Sequence, residues 1–129
     1  MKPIAINPIG GNSNTSPLSP GLIAGPYLFI SGQIGVDPAS GAFAEGGVEA
    51  QTEQILTNMA ELLAVAGLAM SDVVKTTVFL TRVDDFAAMN GVYRTHFSEP
   101  FPTRSTVVVV ALARPELVVE IEAIAQVQT

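Results

Sequence analysis

The sequence predicts an α+β fold, a mixed β-sheet with two helices packed on one of its faces. Three observations carry that expectation. Residues 48–66 show helical spacing of apolar side chains, and a second, shorter helix follows Asp84 or Asp85. Stretches of strand character surround them, in the order strands, helix, strand, helix, strand, strand. The last stretch alternates strictly. Leu117, Val119, Ile121, Ala123 and Ala125 fall on one face, and Val118, Glu120, Glu122, Ile124 and Gln126 on the other.

Taken in order, residues 3–6 form a possible short strand. Residues 8–21 hold three prolines and three glycines among Asn and Ser, and read as loop. Residues 22–30 read as strand or hairpin, broken at Gly25-Pro26 and ending in Ser31-Gly32-Gln33. Asp37-Pro38-Ala39-Ser40-Gly41 signals a turn. The first helix has Val48, Ile55, Leu56, Met59, Leu62, Leu63 and Ala66 on one broad face, with Gly67 as a fitting terminator. Val73 to Leu80 is rich in β-branched residues and reads as a strand. Asp84 or Asp85 can cap the second helix, whose apolar face would hold Phe86, Met89, Tyr93 and Phe97. Pro100 and Pro102 stop it. Residues 106–112 contain four consecutive valines and read as a strand buried on both faces.

The 129 residues, 1–129, fit one domain, with no internal repeat. Only 14% of them are charged, against an average near 25%. That surplus of apolar surface points to a subunit interface. With no cysteine, disulfides and thiolate chemistry are excluded. His96 is the only histidine, so a multi-histidine metal site is excluded too. The net charge is −6, and the six basic residues (Lys2, Lys75, Arg82, Arg94, Arg104, Arg114) form no run, which argues against nucleic-acid binding. No secretory leader is apparent after Met1-Lys2-Pro3, and no stretch of about 20 apolar residues suggests a membrane span, so a cytoplasmic location is expected.

The chemistry on offer is sparse. His96, near the end of the second helix, reads first as a solvated or capping residue and only second as a catalytic one. Arg104 opens a strand that becomes wholly apolar, so its guanidinium needs an anionic partner. Either Glu120 or Glu122 pairs with it, or it is a bidentate clamp for a substrate carboxylate. Glu120 and Glu122 share a strand face with Val118 and Ile124. That face is either solvated or lines a polar cavity, where a carboxylate could orient and deprotonate a water. Gly32 marks a strand end or bulge, or a close approach of backbone to a ligand or to another backbone.

From Leu18 to Ala125 the chain resembles the RidA/YjgF family, also known as L-PSP endoribonucleases. The marks are Ser31-Gly32-Gln33-Ile34, Gln51-Thr52-Glu53-Gln54 with Asn58, and Val73-Val74-Lys75-Thr76-Thr77-Val78-Phe79. They continue in Asp85-Phe86 with Asn90 and Tyr93, Phe101-Pro102-Thr103-Arg104-Ser105, and Glu120-Ile121-Glu122-Ala123-Ile124-Ala125. The resemblance implies a chorismate-mutase-like fold and a homotrimer whose sheets form a central barrel with clefts between subunits. It implies hydrolysis of reactive 2-imino or enamine acids to 2-keto acids and ammonia, with no metal or organic cofactor. In that reading Arg104 binds the substrate carboxylate and Glu120 positions water. Ser31, Gly32, Phe86 and Asn90 line the cleft. Two departures stand out. The family's deaminases usually carry a tyrosine thirteen residues before Ser31, where this chain has Leu18. A cysteine is common two residues after the arginine, where this chain has Thr106, a position that contributes mainly through its main chain. A carboxylate-binding module without turnover, favoured by the more apolar cleft that Leu18 would make, is the alternative; an endoribonuclease ranks third.

Overall fold

The computed structural model describes residues 2–11 and 16–127, so residues 12–15 of the expected loop lie outside the described residues. The strands are β1 (Ile4–Ile6), β2 (Gly21–Ala24), β3 (Tyr27–Ile34), β4 (Val73–Leu80), β5 (Thr103–Val108) and β6 (Val119–Gln126). The helices are α1 (Gly47–Val65) and α2 (Phe86–His96). The six strands form one sheet in the order β1-β2-β3-β6-β4-β5. The last strand in sequence is therefore inserted at the centre. All pairs are antiparallel except β4 and β5, which α2 joins as a crossover. This is the expected α+β architecture.

β6 explains its own alternation. With β3 on one side and β4 on the other, its ladder bonds are satisfied at both edges, and only its two faces remain to be distinguished. Val119, Ile121, Ala123 and Ala125 pack beneath the helices, in one cluster with Leu28 and Ile30 of β3 and Val78 and Leu80 of β4. α1 brings Ile55, Leu56, Met59, Leu62 and Leu63 to that cluster, and α2 brings Met89 and Tyr93. Each such side chain taken fully from water contributes about 1.5–3 kcal/mol before entropy is counted. α1 ends where Gly67, at φ 75°, turns the chain into the left-handed region. There the Leu68 N–H donates back to the Leu63 carbonyl, at 2.9 Å.

The polar marks on α1 are structural. Gln51 is buried; its amide donates to the Glu116 carbonyl at 2.8 Å and accepts from the Val118 N–H at 3.0 Å, clamping the entry to β6 onto the helix. Gly35 lets that helix approach, since a Cβ there would lie 2.7 Å from the Gln51 Cβ. Asn58 donates to the Val36 carbonyl at 2.9 Å and accepts from Gln54 at 2.8 Å.

Four expectations are corrected. The valine run is not a doubly buried strand: β5 ends at Val108, it is an edge strand, and Val107 and Val110 are exposed. Among the described residues, its outer edge pairs with no other strand, and no helix covers the opposite face of the sheet. Asp85 occupies the position before α2 without a side-chain capping bond; a 3₁₀ turn over Val83–Asp85 leads into the helix instead. Phe86 is not in the core but 40% exposed, its ring beside the Arg104 guanidinium of the edge strand instead. His96 is neither freely solvated nor a cap: it pairs with Glu53, tying α2 to α1. Among the described residues, no helix is long and apolar enough to cross a membrane.

Candidate functional site

Two concave regions carry the chemistry-bearing residues, and they lie on opposite faces of the sheet. Arg104 is the register partner of Thr76, and Glu120 that of Phe79. Thr76 and Phe79 are three apart on β4, so their side chains, and those of their partners, point to opposite faces. Arg104 and Glu120 of one chain therefore cannot meet at one small molecule. The ion pair between Arg104 and Glu120 or Glu122 that the sequence left open is absent among the described residues.

On the helix-covered face, Arg104 sits at the sheet edge under α2. Its guanidinium carbon lies 4.8 Å from the centre of the Tyr93 ring and 5.7 Å from that of Phe86. Tyr93 is itself held: its hydroxyl shares a hydrogen bond with Thr76 Oγ1 at 2.8 Å, and its ring lies against Phe97 with centroids 4.6 Å apart. Burial pushes the Tyr93 phenol above its ordinary pKa, opposed by the Thr76 hydrogen bond and the Arg104 charge, so it stays a neutral ring beneath a cation. An arginine caged by aromatic faces keeps its five N–H donors free for an incoming carboxylate. Next to it is a cavity of about 340 Å³ lined by Asn90, Tyr93, Arg94, Phe101, Pro102 and Arg104. Thr106, two residues on and on the same face, has a buried Oγ1 with no hydrogen-bond partner.

On the open face, a second concavity of about 400 Å³ is lined by Ser31, Phe29, Lys75, Thr77, Glu122 and Ile124, among others. Ser31 Oγ donates to the Ser19 carbonyl at 2.6 Å, tying the loop before β2 to β3. Between Ile30 and Gln33 the β3–β6 register slips, which is the bulge the Ser-Gly-Gln run suggested. Gly32 sits in it because the Glu120 carboxylate occupies the space a Cβ would take. Burial raises the Glu120 pKa, and the neighbouring Glu122 charge raises it further. Glu120 itself lines neither concavity, whereas Glu122, two residues on along the same strand face, lines the open one. A carboxylate of raised pKa such as Glu120 has the character of a general base.

The sequence-predicted residues thus divide into two sets. Arg104, Phe86, Asn90 and Thr106 gather on the helix-covered face. On the open side, Gly32 meets Glu120 and Ser31 lines the concavity. Leu18 is exposed on the loop beside Ser19 and lines neither region. Sequence reasoning missed Tyr93 as a support for Arg104, seeing only its place on an apolar helix face. It missed Arg94, Phe101 and Pro102 as cavity walls. The signal for Tyr93 is a hydroxyl on an otherwise apolar helix stripe. For the rest, only the parallel β4–β5 pairing brings them together.

Comparisons with known proteins agree with this fold. A 2-iminobutanoate/2-iminopropanoate deaminase of Capra hircus is 45% identical over 109 residues, covering 84% of this chain and 79% of that protein. The crystal structure of the YjgF gene product of E. coli superposes with a TM-score of 0.88 at 37% identity, covering 97% of this chain and 99% of the other. That of E. coli TdcF, solved with bound serine, gives 0.82 at 36% identity, covering 94% and 93%. The sequence pattern described as Endoribonuclease L-PSP matches residues 12–127, and the chain belongs to that family, the RidA/YjgF proteins.

Proposed function

We propose that the protein is an imine deaminase that hydrolyses small 2-imino acids to 2-keto acids and ammonia, at sites built from two copies of the chain. The observation that carries this reading is Arg104, a guanidinium held on aromatic faces beside a cavity with no acidic residue in its wall. That arrangement suits a carboxylate ligand. The goat relative is named for action on two 2-imino acids, and TdcF was solved with serine, a small carboxylic acid.

Arg104 of one copy would grip the carboxylate in a two-pronged pair, with Phe86 and Asn90 flanking it and the Thr106 main chain beside it. Glu120, Ser31 and Gly32 of a neighbouring copy would close the cleft. The opposite-face placement of Arg104 and Glu120 favours such a shared site. So do the uncovered apolar side chains Phe29, Val107 and Val108, and a homotrimer is the assembly we propose. Leu18, exposed on its loop, would border the cleft in place of the usual tyrosine.

In the reaction, Glu120 takes a proton from water as the water oxygen bonds to the imine carbon, and hands that proton to the imine nitrogen. Glu120, ionised again, takes the hydroxyl proton of the resulting aminol and delivers it to the amino nitrogen as the C=O bond forms and the C–N bond breaks, so that ammonia leaves with the keto acid. Water is the only co-reactant. General-base assistance of the usual ~10²–10⁴-fold suffices for a reaction that already proceeds in water.

The test is to generate 2-imino acids with an amino-acid oxidase and trap them as semicarbazones, with and without the protein. Wild type lowers the semicarbazone yield and Arg104→Ala does not. Equal yields with and without wild type would remove the deaminase reading and leave a carboxylate-binding cleft.

A further inference from the structure

The cavity beside Arg104 contains a second guanidinium. Phe86, Asn90 and Arg94 recur at intervals of four along α2, which stacks them on one stripe of the helix. Phe86 lies against Arg104, and Asn90 and Arg94 both line the 340 Å³ cavity that Arg104 lines. The chain has six lysines and arginines in all and a net charge of −6, yet two of the six share this one cavity. No aspartate or glutamate lines it, and neither arginine has an ion-pair partner among the described residues. Arg94 also lies in the last turn of α2, where a cation is favoured by the helix carbonyls. That accounts for a positive charge at the helix end, but not for two cations facing the same space. Two like charges around a 340 Å³ cavity repel one another until an anion enters.

We propose that Arg94 receives a second anionic group of the ligand, so that the site favours 2-imino dicarboxylates, with an acidic side chain, over 2-imino acids with alkyl side chains of the same length. The inference rests on the reading of Arg104 as the carboxylate anchor. Arg104 takes the carboxylate next to the imine carbon, and Arg94, two turns along α2 from Phe86, takes the side-chain carboxylate. The cavity volume falls within the ~300–1,000 Å³ of small-ligand sites. Because Arg94 is exposed, its contact is that of a solvated ion pair, worth about a fivefold preference and weakened by salt.

The test compares two stable keto acids of equal carbon number, 2-oxoglutarate and 2-oxopentanoate, which differ only in a terminal carboxylate against a methyl. Their dissociation constants are measured by titration calorimetry for the wild type, Arg94→Ala, Arg94→Glu and Arg104→Ala. The wild type binds 2-oxoglutarate about fivefold more tightly, the ratio falls to about one in R94A, inverts in R94E, and declines as sodium chloride is raised. R104A weakens both ligands. A wild type with no preference, or a preference that survives in R94A, overturns the role of Arg94 while leaving Arg104 in place. Failure of the wild type to bind either acid, or undiminished binding by R104A, overturns the anchor and this inference with it.

Discussion

On the helix-covered side of β6, Ile121 and Ala125 are fully sealed from solvent, while Glu122 and Gln126, one residue on from each, stand exposed on the other side of the same strand. The same contrast runs across the sheet: Leu28 is buried and its neighbour Phe29 is 43% exposed. One face finds its partners within the chain, in α1 and α2. The other carries large apolar groups, an acid pair and a concavity, and among the described residues no helix covers it. The two halves of the candidate site divide in the same way. Arg104 is flanked by the rings of Tyr93 and Phe86 of its own chain, whereas Glu120 lies against the bulge at Gly32. A finished face can hold an anchor in place before any partner arrives. The open one is where we propose a second copy docks.

The comparison can be broken at several points. Arg104→Ala should have the largest effect, abolishing carboxylate-dependent activity. Arg104→Lys should restore little of it, since a point charge does not replace a planar fork. Recovery of wild-type kcat/KM in the lysine variant would show that the fork is not what the site uses. Glu120→Gln should lower kcat by about 10²–10⁴-fold with little change in KM. In the wild type, activity should fall as pH drops through the raised Glu120 pKa, and this limb should vanish in the variant.

On the packed face, Ile121→Ala should cost about 2–5 kcal/mol of unfolding free energy, measured by denaturant titration, because it leaves a cavity under both helices. On the open face, Phe29→Ser should change the chain's own stability by only about 0.5 kcal/mol. It should nevertheless reduce the mass seen by light scattering if a second copy covers that face. A variant that assembles identically to the wild type would mean the open face is not an interface. Tyr93→Leu should raise KM about fivefold at nearly constant kcat, while Tyr93→Phe, which keeps the ring beneath Arg104, should stay within about twofold.

The smallest effect is on stability. A carboxylate whose folded pKa is raised destabilises the fold where it is ionised in both states. That penalty is complete above the folded pKa and disappears below the unfolded one. Glu120→Gln should therefore melt slightly higher than wild type at neutral pH and lose that advantage as pH falls through the raised value. A melting difference independent of pH would assign the effect to packing instead.

Much of the fold is legible in the residues. The period of two in β6, the helical stripe of α1 and its Gly67 terminator, and the turn at Gly25-Pro26 each follow from local chemistry, and each lies where local chemistry puts it. The valine run misled for a physical reason: continuous apolar character marks a strand that wants cover on both faces, whether its own chain or another supplies it. Of the candidate site, Arg104, Glu120 and Gly32 could be singled out because an arginine before an apolar strand, an acid pair on an apolar face and a glycine after an apolar strand are each anomalous where they stand. Arg94 could not, since an arginine on an amphipathic helix is ordinary, and for Tyr93 the one local signal is a hydroxyl on an otherwise apolar stripe, which does not say that the ring supports Arg104.

By itself, then, the sequence determined which residues are apolar in which rhythm, hence which segments become strands and helices and which face of each turns inward. Tertiary structure alone decided that β6 lies between β3 and β4, that β5 runs parallel to β4 at the edge, and that Arg104 and Glu120 consequently look away from each other. The physical reason is range. Side-chain periodicity is set by neighbours two to four residues away. Strand order and register depend on pairings between segments far apart in the chain, whose energies no single segment contains.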